Sequence, residues 1–289
     1  MVLCFFDIQN IVALRATCHH NATLTDSFLQ RRRDRILRYF ISDVPAFMKF
    51  MQTSNAVISG SSALRLILAV ADTTWPMSDL DLYIPLSSGP SATEFFHRFG
   101  YDIIPYPPPK TKYGSKKVRS VVAAVQGSRK IDIVLSCDGR PILPIFQFHS
   151  SVVMNYFTPT TIFSAYPALT LQFKGLINPM ACTRHHMLPP RTMRALIKYA
   201  NRGFEFASSG LAWTCTENHT CAQTFECPLR ARTSFDSACL NVSFSSPISS
   251  SDLTPCGVKE MYGWLLGGFH CREQDREFSP YVFYTPLSR

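Results

Sequence analysis

Apolar and polar positions follow two different periods along this chain, and the switches between them predict its elements. Over the first fifty residues the spacing is helical. Ile11, Leu14 and Cys18 share one face, and Leu29, Ile36, Leu37 and Phe40 form a second apolar stripe. The basic run Arg31-Arg32-Arg33-Asp34-Arg35 passes through that stripe and reads as a solvated helix face. A short apolar strand over 55–59 then runs into Gly60-Ser61-Ser62. A helix follows over 61–71, then a loop from Asp72 to Ser78 and a strand over 79–84. In that strand, alternation sets Asp79 and Asp81 on one face and Leu80 and Leu82 on the other.

Further along, Ser91 to Phe99 reads as a helix, with Glu94 placed to close a capping box on Ser91 and Gly100 as its stop. Pro105 to Ser115 is a loop by composition. Val118 to Val125 and Lys130 to Ser136 read as strands, the second carrying Asp132 among apolar neighbours. A helix is predicted from about Thr192 to Arg202. Met193, Leu196, Ile197 and Ala200 are its inner face, Arg194, Lys198 and Arg202 its outer one, and Gly203 its end. Beyond 208, Ser, Thr, Cys and Pro dominate, and only Leu240–Phe244 and Pro280–Tyr284 read as strands.

Composition narrows the class. A hydrophobic share of 46% with 17% charged residues over 289 residues describes a globular chain of one large domain or two smaller ones. No apolar run spans a membrane, and Met1 to Phe6 has neither the length nor the flanks of a signal peptide. The expected location is intracellular, cytoplasmic or nuclear. There the ten cysteines are thiols, and the sequons at Asn21, Asn218 and Asn241 are chance. Charge is uneven: residues 101–130 hold seven Lys/Arg and one acid, and residues 172–203 hold six and none. Segment 71–100 is net acidic. An acidic centre between basic flanks suits a divalent metal together with a polyanion.

Three pieces in order carry the chemistry. They are Val57-Ile58-Ser59-Gly60-Ser61, then Ser78-Asp79-Leu80-Asp81-Leu82-Tyr83, then Ile131-Asp132-Ile133. Together they resemble the polymerase-β-like nucleotidyltransferase superfamily, in which a strand ends in Gly-Ser, an Asp-x-Asp follows and a third Asp sits on a later strand. The strings Lys130-Ile-Asp-Ile-Val134 and Lys198-Tyr-Ala-Asn-Arg-Gly-Phe204 narrow the resemblance to a fungal group with an F-box-like N-terminus. Asn10 to His20 is similar to the later half of an F-box, whose Leu-Pro opening is missing here. The resemblance covers roughly residues 10–205. One departure stands out: seventeen residues separate Ser61 from Asp79, more than the superfamily places there.

The resemblance implies an α+β fold, with a nucleotidyltransferase-like mixed sheet and flanking helices behind a short helical N-terminal region. It divides the chain into a helical F-box-like region over 1–50, a core over 51–150, a helical extension packed on the core over 151–205, and an irregular Ser/Cys/Pro-rich region over 206–289. It implies that Asp79, Asp81 and Asp132 hold two Mg²⁺ ions, or Mn²⁺ in their place, and catalyse transfer from a nucleoside triphosphate to an acceptor hydroxyl. Gly60, Ser61 and Ser62 hold the phosphates. Lys110, Lys112, Lys116, Lys117 and Arg119 are candidates to neutralise the leaving pyrophosphate. RNA or another polyanion is an expected partner.

A rival reading makes the chain a non-catalytic adaptor, with the N-terminal helices binding a ubiquitin-ligase scaffold. Cys215, Cys221, Cys227 and Cys239 with His219 invite a zinc site, but their spacings miss the paired C-x₂₋₄-C pattern, so incidental thiols are expected. Cys182, His185 and His186 read as surface residues. No P-loop, Rossmann or G-x-S-x-G fingerprint is present.

Overall fold

The Gly-Ser turn and the strands on either side of it lie in the interior of an eight-stranded mixed sheet. The computed structural model describes residues 2–105, 117–137, 139–179, 188–213, 219–243, 260–267 and 282–286. Three helices open the chain: α1 (Ile8–Arg15), α2 (His19–Phe40) and α3 (Val44–Thr53). Then come β1 (Val57–Ser59), α4 (Gly60–Ile67), β2 (Leu80–Pro85), α5 (Gly89–Arg98), β3 (Asp102–Pro105), β4 (Val118–Gln126) and β5 (Arg129–Ser136). Next are β6 (Asn155–Phe157), β7 (Thr161–Ser164), α6 (Pro167–Thr170), β8 (Lys174–Leu176), α7 (Pro190–Ala200) and β9 (Glu205–Ala207). The last are β10 (Arg232–Thr233), β11 (Leu240–Ser243), β12 (Glu260–Trp264) and β13 (Val282–Pro286). The class is α+β, as expected. Among the described residues no helix is long and apolar enough to cross a membrane.

The described residues within Met1–Pro144, Asn155–Phe163 and Asn241–Cys256 form one compact unit. Its sheet runs β11-β7-β6-β1-β2-β5-β4-β3. The β2–β5 pair is parallel, while β1 meets β2 and β6, and β4 meets β3 and β5, antiparallel. Helix α4 packs on β1, β2 and β6, and α2 packs on α4 and β5. The stripe read on α2 is the buried one: Leu29, Ile36, Leu37 and Phe40 are all in the core, each contributing about 1.5–3 kcal/mol by burial. Phe47 and Phe50 of α3 meet Phe95 and Phe96 of α5 at centroid distances of 4.6–6.1 Å. These rings join the N-terminal helices to the sheet's own helix.

Four local expectations are corrected. Cys18 does not share a buried face with Ile11; it is exposed at the N-cap position of α2 with no side-chain capping bond, and Ile8 joins Ile11 in the core. The basic run is not a solvated face, because Arg32 and Arg33 are buried. The Arg32 guanidinium donates to the carbonyls of Arg65 and Leu68, and Arg33 to that of Pro159. Helix α4 stops at Ile67 rather than 71, since Leu68 is extended and its carbonyl is taken by Arg32. A cation at a helix C-terminus satisfies the orphan carbonyls and complements the dipole. The Ser91–Glu94 capping box does not form: Pro90 starts α5 earlier, and Glu94 instead sits 3.9 Å from Arg98 in the open. Gly100 does stop that helix, with φ +76° and Tyr101 N–H donating to Phe96.

The described residues within Ile145–Met154, Ser164–Leu240 and Gly257–Arg289 form the second unit. It holds the small sheets β8-β9 and β10-β12-β13. The expected irregular region contains a packed centre. Trp264 stacks on Phe146 at 4.3 Å and donates its indole N–H to Tyr166 at 3.0 Å. Beside them the buried Arg232 guanidinium lies over Tyr166, pairs with Asp236 at 2.5 Å and donates to the Phe225 and Ala165 carbonyls. Helix α7 is rotated from its expected face. Leu196 and Tyr199 are buried, whereas Met193, Ile197 and Ala200 are exposed, because Tyr199 packs on Phe204 and His149.

Candidate metal centre

The opening strand–turn–helix aims its chemistry at one row of the sheet. In register, Ser59 of β1 lies opposite Asp81 of β2, and Asp81 lies beside Asp132 of β5. Asp79 lies just before β2, and its carboxylate joins the other two. The carboxylates of Asp79, Asp81 and Asp132 each offer an oxygen within 4.8 Å of the other two. All three residues are half-buried, whereas Leu80, Leu82, Ile131 and Ile133 on the opposite face are in the core. Asp132 belongs to an interior strand, flanked by β2 and β4.

Gly60 is shaped by this cluster. Its φ of +66° suits glycine, and a Cβ built there would stand 2.0 Å from Asp81 Oδ2. The carboxylate therefore rests against the bare Cα at the start of α4. The first-turn amides of a helix have no partner inside it, and Gly60, Ser61 and Ser62 form that turn here. Ser59, the residue before it, donates its hydroxyl to the Asn155 carbonyl at 2.5 Å and ties β1 to β6. Ser62 is buried; Ser61 is half-buried.

The long spacer is held by α4 itself. Arg65 donates to the Thr73 carbonyl at 2.7 Å and to that of Trp75, with its guanidinium 5.5 Å from the Trp75 ring centre. Thr73 is buried and donates back to Val70 at 3.0 Å. The extra residues thus fold along the helix that begins at Gly60. Ser78 donates to Asp79 Oδ1 at 2.6 Å.

The basic candidates fare differently. Lys110, Lys112 and Lys116 lie outside the described residues, as do Cys182, His185 and His186. Arg119 is four residues along β4 from Ala123, the partner of Asp132, or roughly 13 Å at the usual strand rise. Lys117 is farther still along the same strand direction. The cation at the carboxylates is one that sequence reasoning did not single out: Lys130 Nζ stands 2.9 Å from Asp132 Oδ2. Its signal was present, since Lys130 and Asp132 are two apart and share a strand face.

No protein-family model, no curated protein and no solved structure matches this chain. The geometry therefore carries the functional reading. Three hard oxygen donors converging from β2, the residue just before it and the adjacent β5 fit Mg²⁺ or Mn²⁺, which take carboxylates and keep water and phosphate as further ligands.

Proposed function

We propose that the chain is a metal-dependent nucleotidyltransferase, moving a nucleotidyl group from a nucleoside triphosphate to an acceptor hydroxyl. The observation that carries the reading is the contact of Asp81 with the bare Cα of Gly60. It ties a carboxylate cluster to the start of a helix, so a cation and the phosphates of a nucleotide have adjoining places. In this reading Asp79 and Asp81 would hold the cation. Asp132 would complete the set and accept the proton of the acceptor hydroxyl. When bound, Mg²⁺ supplies charge neutralisation at the triphosphate and lowers the pKa of the attacking hydroxyl. The amides following Gly60 and the Ser61 hydroxyl orient the terminal phosphates. Lys130 competes with the cation for Asp132 and, once displaced, leaves a positive charge at the edge of the site. Positioning and charge stabilisation then suffice for in-line attack at the α-phosphorus.

The test is the fate of label. With Mg²⁺ and a mixture of RNA and small hydroxyl acceptors, α-labelled triphosphate transfers its label, whereas γ-labelled triphosphate releases it as pyrophosphate. Asp81→Asn abolishes both.

One observation favours a second reading. The Lys130 ammonium already neutralises Asp132, as it would in a nucleotidyltransferase-like fold kept as a non-catalytic adaptor. In that reading, exposed apolar residues of the N-terminal region such as Phe5, ahead of α1, and Leu24 of α2 would meet a ubiquitin-ligase scaffold. Deleting the first fifty residues is no test, because Phe40, Phe47 and Arg33 are part of the core. Phe5→Ser/Leu24→Ser leaves the core intact. Loss of a scaffold protein from pull-downs with that variant, together with no nucleotide turnover in wild type, would favour the adaptor.

A further inference from the structure

In the second unit the chain gathers a second, chemically different donor set. His219, Cys221 and Cys227 each offer a ligand atom within 4.8 Å of the other two. Their spacing misses the paired-cysteine pattern of zinc motifs, which is why the sequence predicts incidental thiols. A turn closes the gap. Ala222, with φ +62°, bends the chain just after Cys221, and Thr224 N–H and Cys227 N–H donate to the Thr220 and Thr224 carbonyls in succession.

Two features of the cluster point to a ligand. The Cys221 and Cys227 sulfurs are 3.8 Å apart. A tetrahedral metal with metal–sulfur bonds of about 2.3 Å sets its sulfurs about 3.8 Å apart, and the two thiols are not joined in a disulfide. The His219 residue is only 6% exposed, and its Nε2 is buried with no hydrogen-bond partner among the described residues. A weak thiol–thiol hydrogen bond accounts for the sulfur pair alone and leaves that nitrogen orphaned, against the rule that buried polar atoms are satisfied. A metal accounts for both. Ala222 N–H also donates to Cys227 Sγ at 3.2 Å, the kind of outer hydrogen bond that holds a metal-bound ligand in place.

We propose that His219, Cys221 and Cys227 bind a Zn²⁺ ion, separate from the carboxylate cluster. Two thiolates and an imidazole are soft and borderline donors, which select zinc over magnesium. Binding expels the two thiol protons, and the imidazole coordinates neutral, so two thiolates balance the charge of the dication. Cys227 is fully buried and Cys221 half-buried, so the corner beside Cys221 leaves the fourth position to solvent. The ion locks the 219–227 turn, which precedes the Arg232–Asp236 pair.

The full chain, stripped with chelator and titrated with Co²⁺, tests this. The expected result is stoichiometric uptake with a thiolate-to-cobalt charge-transfer absorption and the strong visible bands of a tetrahedral site, all displaced by Zn²⁺. Asp79→Asn/Asp81→Asn keeps these bands. Cys221→Ser and His219→Asn, made singly and checked by circular dichroism, lose or reshape them. Cys227 is too buried for its variant to be decisive. Absence of the charge-transfer band in the folded wild type overturns the proposal. So does an unchanged spectrum in both variants, or a Cys221–Cys227 disulfide found by mass spectrometry in protein purified under reducing conditions.

Discussion

Gly60→Ala is the substitution on which most of the reasoning about the carboxylate cluster bears. An alanine there takes on two burdens. At φ +66° an L side chain is strained, by about 1–2 kcal/mol. Its Cβ would also stand 2.0 Å from Asp81 Oδ2, where contacts under 3.0 Å do not occur. The carboxylate must then retreat by about 1 Å, and overpacking of this kind adds about 1–3 kcal/mol. Gly127 provides the control. It turns the β4–β5 hairpin at φ +57°, with nothing within 4 Å of its Cβ position. Gly127→Ala therefore carries the backbone strain without the clash. Urea unfolding should show about 1–2 kcal/mol lost in Gly127→Ala and about 2–5 kcal/mol in Gly60→Ala. Function should separate them further. A 1 Å misplacement of a positioned group costs on the order of 100-fold, so Gly60→Ala should lose about that factor in Mn²⁺-dependent nucleotide turnover while Gly127→Ala keeps wild-type turnover. Equal turnover and equal stability loss in the two variants would refute the claim that Asp81 is held against Gly60.

Three other outcomes follow from the structure. Lys130→Gln frees Asp132 from its 2.9 Å partner, so Mn²⁺ titration should show tighter metal binding than wild type; weaker binding contradicts the competition. Arg32→Met leaves the Arg65 and Leu68 carbonyls without their donor and should lower stability by about 2–3 kcal/mol in urea. Burial, then the Lys198 charge, pushes His149 down to about 4. The unfolded chain therefore binds that proton first, so its contribution is complete above the ordinary histidine value and is lost as pH falls toward 4. That is about 3 kcal/mol, and His149→Gln should flatten the stability profile between pH 6.5 and 4.

The parts of the site that the sequence makes legible are those set by strand alternation. Asp81 and Asp132 share a face because the parallel β2–β5 register sets them side by side, and Asp79, just before β2, joins them in the cluster. The α2 stripe is legible for the same reason at helical period. What periodicity cannot carry is a polar group that buries itself by finding a distant carbonyl. Arg32 and Arg33 look like solvent residues until α4 and Pro159 are folded against them. Tyr199 likewise draws α7 around to a face that simple hydrophobicity assigns to Met193 and Ile197. Arg232 and Trp264 organise a region whose composition reads as irregular. The His219–Cys227 cluster depends on a turn at a positive-φ alanine, for which the sequence offers no signal.

The central claim, that Asp79, Asp81 and Asp132 form a metal–nucleotide site in front of Gly60-Ser61, is tested most directly by calorimetry. A non-hydrolysable nucleoside triphosphate is titrated into the full chain with and without Mg²⁺, and into Asp79→Asn/Asp81→Asn. The account predicts binding that requires Mg²⁺ and disappears in the double variant. Equal affinity in wild type and variant, or affinity indifferent to Mg²⁺, would contradict it.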